Sequence, residues 1–198
     1  MFYTIEGIDG AGCGTIRRAL EKRLKTAKLE FSSLKYPVPN LPFGEVIYQF
    51  LDGKLKISPE VQFIAFAGQM VLEKERLKLL RKKILMVDRY LPCTLVFQGA
   101  KGFSMKKGLE FARVFEIEKP DKIFYLRVPW KTGYERKNAE ARESDLHERD
   151  TALYRKTALL YNKLAAKNVL GRWVTIDATR TVDEIADEIF KIIEKDQK

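Results

Sequence analysis

The sequence predicts an α/β fold, a five-stranded parallel sheet flanked by helices on both faces. Three observations predict it. Short apolar runs alternate with longer stretches of helical spacing along the whole chain, the pattern of repeated strand–helix units. Two of the runs, Ile84-Leu85-Met86-Val87 and Ile123-Phe124-Tyr125-Leu126, are apolar without a break, which suits central strands buried on both faces. The first run, Phe2-Tyr3-Thr4-Ile5, ends in a glycine-dense turn that opens a helix carrying Ile16, Ala19, Leu20 and Leu24.

Taken in order, the expected strands are Phe2–Glu6, Leu29–Tyr36, Ile84–Asp88, Lys122–Val128 and Arg172–Asp177. The expected helices are Gly14–Thr26, Phe43–Leu51, Pro59–Arg81, Pro92–Ala100, Met105–Phe115, Trp130–Ala141, Thr151–Ala166 and Val182–Lys195. The proline-rich stretch Tyr36–Pro42 is a short connection between packed elements, and no repeat or low-complexity segment interrupts the chain. One domain over 1–198 is expected. In such sheets ligands sit beyond the carboxyl ends of the strands. Here those ends carry Glu6-Gly7, Tyr36-Pro37, Asp88-Arg89 and Asp177.

The turn after the first strand has the outline of a phosphate-binding loop. Gly7 and Gly12 fit the spacing G-x-x-x-x-G-K-[ST]. The chemistry departs from it: Cys13 stands where the lysine belongs, Gly14 where the hydroxyl belongs, and Thr15 follows. Backbone N–H groups from Gly10 to Thr15 can still cradle a phosphate. Arg17 and Arg18, about one turn into the helix, are candidates to replace the missing charge. Cys13 at a helix start also invites a reading as a nucleophile, but the single histidine, His147, has nothing in the sequence that places it nearby.

Asp88-Arg89-Tyr90 follows a buried-type strand. Asp88 there suits magnesium or a proton transfer, and Arg89 suits bidentate phosphate binding. The segment 135–150 is dense in both charges and nearly free of apolar residues, as a mobile lid over a polyphosphate would be. Phe66, with Thr94, Phe97 and Gln98, offers an aromatic face, a hydroxyl and an amide for a base.

The formal charge is +10. Much of the basic charge lies in helical stretches that also carry glutamates, with no aromatic–basic platform of the single-strand binders, so no nucleic-acid partner is expected. No apolar run approaches the roughly 20 residues of a membrane span, and no membrane partner is expected. Two cysteines, Cys13 and Cys93, make neither a disulfide framework nor a structural zinc site. The first strand begins at once, without a signal peptide, so a cytoplasmic location is expected.

Together these residues resemble the thymidylate kinase family. The similarity covers Ile5 to Gly12, the Tyr36-Pro37 turn, Pro42-Phe43-Gly44-Glu45-Val46-Ile47 and Ser58-Pro59-Glu60. It continues through Asp88-Arg89-Tyr90 with Thr94 and Phe97-Gln98-Gly99-Ala100, then Pro120-Asp121, Asp145 to Asp150 with Tyr161, and Ile176-Asp177-Ala178. The resemblance implies a P-loop nucleoside monophosphate kinase fold with a helical lid at about 135–150. It implies transfer of the γ-phosphoryl group of ATP to dTMP, with magnesium, in a homodimer formed through helices of the region Phe43–Arg81. Gly7, Asp9, Gly10, Ala11, Gly12, Cys13, Gly14 and Thr15 would bind ATP phosphates, and Thr15 and Asp88 the metal. Asp9, Tyr36, Phe66, Met70, Arg89, Thr94, Phe97, Gln98, His147 and Glu148 would bind dTMP. Asp88 and Arg89, with Arg142 and Arg136 from the lid, would be catalytic. Met70 stands where the family usually has a base-reading arginine. With Cys13 and Gly14, that departure keeps open an alternative: a nucleotide-binding homologue with weak activity or altered monophosphate specificity.

Overall fold

A computed structural model describes residues 1–139 and 148–197, with the backbone alone for 148–150. The strands are β1 (Phe2–Glu6), β2 (Phe31–Lys35), β3 (Ile84–Asp88), β4 (Lys122–Arg127) and β5 (Arg172–Asp177). All pair in parallel, in the order β2-β3-β1-β4-β5. The helices among the described residues are α1 (Cys13–Thr26), α2 (Gly44–Leu51), α3 (Pro59–Leu72), α4 (Lys74–Leu80), α5 (Leu91–Ala100), α6 (Met105–Val114), α7 (Trp130–Ala139), α8 (Glu148–Ala166) and α9 (Val182–Asp196).

The sheet is the five-stranded parallel arrangement that the sequence predicts, and the unbroken apolar runs become central strands. Every residue of β3 is buried, as are Ile123 to Leu126 of β4. Alternation splits the core in two. Tyr3, Ile5, Ile84 and Met86 pack with Ile16, Leu20 and Leu24 of α1 and with Ile185, Ile189 and Ile193 of α9. Phe2, Leu85 and Val87 pack with Phe63, Ala67 and Met70 of α3 and with Leu91 and Leu95 of α5. Each fully buried aliphatic side chain contributes about 1.5–3 kcal/mol, so α1 is held chiefly by this stripe. A capping box at Thr181 and Glu184 starts α9.

Among the described residues, three elements depart from the expected bounds by more than one residue. The expected helix Pro59–Arg81 is two helices that meet at Glu73 (φ −89°, ψ −1°). α3 packs on α5, whereas α4 lies against β3, so the chain bends to bury Leu77 as well as Met70. α8 starts at Glu148 rather than Thr151. β2 is shorter than its apolar pattern because Leu29 is used in the turn that ends α1, donating its N–H to Leu24. The Tyr36–Pro37 peptide is cis.

Register places the chemistry. Ile5 pairs with Asp88, and Asp88 with Lys35. The glycine loop after β1, Asp88-Arg89 after β3 and Lys35-Tyr36 at the end of β2 therefore open on one edge of the sheet.

Candidate active site

The loop after β1 is shaped by backbone rather than side chains. Gly10 (φ +76°) lies so close to α7 that a Cβ there would meet the Gly133 carbonyl oxygen at 2.0 Å. Gly12 caps α1 in the left-handed conformation, with no side chain accepting from the first turn and no acidic residue there. The first amides of α1 therefore remain free for an anion, at the positive end of the helix dipole.

Cys13 contributes its amide and not its sulfur. Its side chain is buried in the core, and burial pushes the thiol well above its usual range. That removes the thiolate a nucleophile needs. A Cβ at Gly14 would sit in ordinary contact, 3.4 Å from Asp88 Oδ2 and 3.6 Å from Arg18 Nη1. Arg18 Nη2 donates to Thr15 Oγ1 at 3.3 Å, so this guanidinium folds back over the loop. Arg17 is committed elsewhere. It pairs with Glu21 and donates to Ser33 Oγ at 3.1 Å, and its Nε lies 3.7 Å from Asp88.

Arg89 is the hub. Its backbone is left-handed (φ 64°), a conformation uncommon for a residue with a side chain. Nη1 donates to the Gly7 carbonyl oxygen at 3.1 Å, Nη2 to Asp9 Oδ1 at 2.7 Å, and the guanidinium lies 5.5 Å from the Phe97 ring centre. Asp9 Oδ2 accepts from Lys137 Nζ at 3.3 Å. Burial works against the Asp9 charge, but Arg89 and Lys137 together hold its carboxyl below the usual range. Asp88 differs: burial raises its carboxyl above the usual range, against the pull of Arg89, Lys35, Arg17 and Arg18.

Glu6 lies beneath Arg89, fully buried. One oxygen accepts from the Tyr90 N–H at 2.9 Å, the other from the Tyr161 hydroxyl at 3.3 Å. Burial pushes its carboxyl up to about 8. The Arg89 charge and the two hydrogen bonds pull it down, and the nearby Asp88 charge adds to the rise. The native state thus binds a proton that the unfolded chain releases near its ordinary value of 4.5. Glu6 stabilises the fold fully below 4.5, and that contribution is lost as pH rises through 8. Urea unfolding at about pH 5.5 and about pH 8.5 should show a drop in stability that Glu6→Gln reduces, because an amide does not titrate.

Beyond Arg89 a cavity of about 260 Å³ runs between α3 and α5, lined by Asp9, Tyr36, Phe66, Met70, Arg89, Thr94, Phe97 and Gln98. Eight of the ten residues expected to bind dTMP thus line one cavity. Lys35, Phe50, Cys93 and Lys101 also line it; sequence reasoning missed them in this role. Lys101 carried a readable signal, one helical turn after Gln98. Of the lid candidates, Arg136 donates to the Ala178 carbonyl oxygen at 3.0 Å, away from the Asp9–Arg89 pair. Lys137 reaches that pair instead. Arg142, His147 and the Glu148 side chain lie outside the described residues.

A parallel sheet with a glycine loop into α1, an Asp-Arg pair after the neighbouring strand and a flanking cavity defines a P-loop protein of the nucleoside monophosphate kinase class. Comparison with known proteins narrows this. The thymidylate kinase family model matches residues 5–189, and the chain belongs to that family. It is 29% identical to the thymidylate kinase of Thermomicrobium roseum, over 97% of this chain and 93% of that one. It is also 29% identical to a probable thymidylate kinase of Thermococcus kodakarensis (98% and 97%) and 27% identical to the thymidylate kinase of Dictyostelium discoideum (100% and 86%). No described helix is long and apolar enough to cross a membrane.

Proposed function

We propose that this protein transfers the γ-phosphoryl group of ATP to the 5′-phosphate of dTMP, giving ADP and dTDP. One observation carries the reading. The Arg89–Asp9 pair stands where the glycine loop and the cavity meet, so a monophosphate in the cavity would present its phosphate to a donor on the loop. The work is positioning and charge neutralisation. Loop amides hold the donor phosphates, Arg89 holds the acceptor phosphate, and Lys137 adds charge from α7. Phe66 stacks on the base, and Phe97 fills the space beside the sugar. Arg18 supplies the charge that the loop lacks at Cys13.

Magnesium fits the residues present. Asp88 sets one carboxylate oxygen beside Gly14, at the edge of the loop. Among the described residues no group of three or more His, Cys, Asp or Glu could hold a metal. Magnesium would therefore take most of its ligands from phosphates and water, as it commonly does; when bound it neutralises charge on the donor.

We also read 1–198 as one domain. A homodimer is supported by exposed Val61, Ile64 and Leu72 on α3 beside Phe43 and Val46, since such faces are commonly covered by a partner. A cytoplasmic location is supported by two unpaired thiols, Cys13 and Cys93. The test of function is ADP release with ATP–magnesium and a panel of monophosphates: dTMP, dUMP, dCMP and dAMP. Turnover greatest with dTMP is expected. No turnover with any of them overturns the proposal.

A further inference from the structure

Lys101 lines the same cavity as Arg89. Thr94, Gln98 and Lys101 follow at steps of four and three residues on and just past α5, so they share one face. All three line the cavity. At about 1.5 Å per residue, Lys101 lies roughly 10 Å along the helix from Thr94.

The Lys101 ammonium is held but not neutralised. It donates to Gln62 Oε1 at 2.7 Å and lies 4.8 Å from the centre of the Phe50 ring. Gln62 is fixed in turn, its Nε2 donating to the Ile57 carbonyl oxygen at 2.7 Å. Among the described residues Lys101 forms no ion pair. Asp9 acts on it only through space, and burial outweighs that pull, lowering its pKa. A lysine has three N–H donors, and Gln62 takes one. On the same helix face Gln98 Oε1 is buried without a partner. Met70, 1% exposed among apolar neighbours, offers no polar atom. On this face of the cavity, three residues apart, the protein therefore presents one charged donor with N–H groups to spare and one bare acceptor, a pairing that a ligand with the complementary groups would satisfy.

We propose that Lys101 donates to a carbonyl oxygen of the acceptor base while Gln98 Oε1 accepts from the adjacent ring N–H. A 4-oxo pyrimidine presents that pair of groups. Seated in the same way, a 4-amino pyrimidine turns a donor toward the ammonium and a ring lone pair toward Gln98 Oε1, so neither contact forms: Lys101 keeps only Gln62 and Gln98 Oε1 stays bare. Lys101 thus selects thymine or uracil over cytosine; this rests on the nucleotide kinase reading above.

The test compares wild type, Lys101→Met and Lys101→Arg by equilibrium binding of dTMP and dCMP and by steady-state kinetics with both. Lys101→Met should weaken dTMP binding and raise its KM by about 10–100-fold, the range for a charged hydrogen bond. Affinity for dCMP should hardly change, kcat for dTMP should stay within about threefold, and Lys101→Arg should restore most of the preference. A role limited to packing on Phe50 would alter both nucleotides alike. An unchanged dTMP:dCMP affinity ratio in a folded Lys101→Met protein overturns the inference, as does a wild type that binds neither nucleotide. A wild type that binds dTMP through Lys101 but forms no dTDP supports the inference while refuting the kinase.

Discussion

Replacing Arg89 with methionine should lower kcat/KM for dTMP by about 10²–10³-fold, the usual loss when one preorganised charged donor is removed from a transition-state site. Arg89 joins the Gly7 carbonyl oxygen, Asp9 and the Phe97 ring, so it both shapes the loop and faces the cavity. Its loss leaves Asp9 with Lys137 as its other cation. Stability should fall by about 1.5–3 kcal/mol, the value of a hydrogen bond to a charged group. Arg89→Lys keeps the charge and loses the fork that serves two partners at once, so it should recover only part of the rate. ADP-release kinetics and thermal unfolding on the same samples separate the two effects. A near-normal rate for Arg89→Met would remove this residue from the phosphate site.

The second large effect is expected at Arg18. In the absence of a loop lysine, its guanidinium is the cation that folds back over Thr15 and Gly14. Arg18→Ala should lower kcat by about 10²–10³-fold and leave KM for dTMP nearly unchanged, because the charge acts on the donor phosphates and most where charge shifts. Arg18→Lys should restore much of the rate. Arg17→Ala is the contrast: with Arg17 tied to Glu21 and Ser33, it should change kcat less than tenfold. An Arg18→Ala protein with unaltered kcat and ATP affinity would show that the charge comes from elsewhere.

How far the site could be read in advance depended on the range of each interaction. The glycine spacing and the Asp-Arg-Tyr triplet are local signals, and both point to the edge of the sheet where the loop, Arg89 and the cavity adjoin. Lys101 and Lys137 are surface-type lysines in the sequence. They matter because α5 turns one toward Gln62 and Phe50, and α7 sets the other over Asp9. The choice between Arg17 and Arg18 was likewise not legible, since adjacent residues on a helix point some 100° apart and only packing on β2 says which way. The resemblance implies Arg136 as a lid arginine; in the structure it donates to the Ala178 carbonyl oxygen, and it is Lys137 that meets Asp9.

The sequence by itself determined the parallel α/β sheet, its central strands and the glycine loop, because periodicity and backbone freedom are properties of neighbouring residues. Tertiary structure alone decided the bend at Glu73, the burial of the Cys13 sulfur and the cations that meet Asp9. Those depend on which distant surfaces come within a few ångströms, where desolvation and short-range charge decide a side chain's partner.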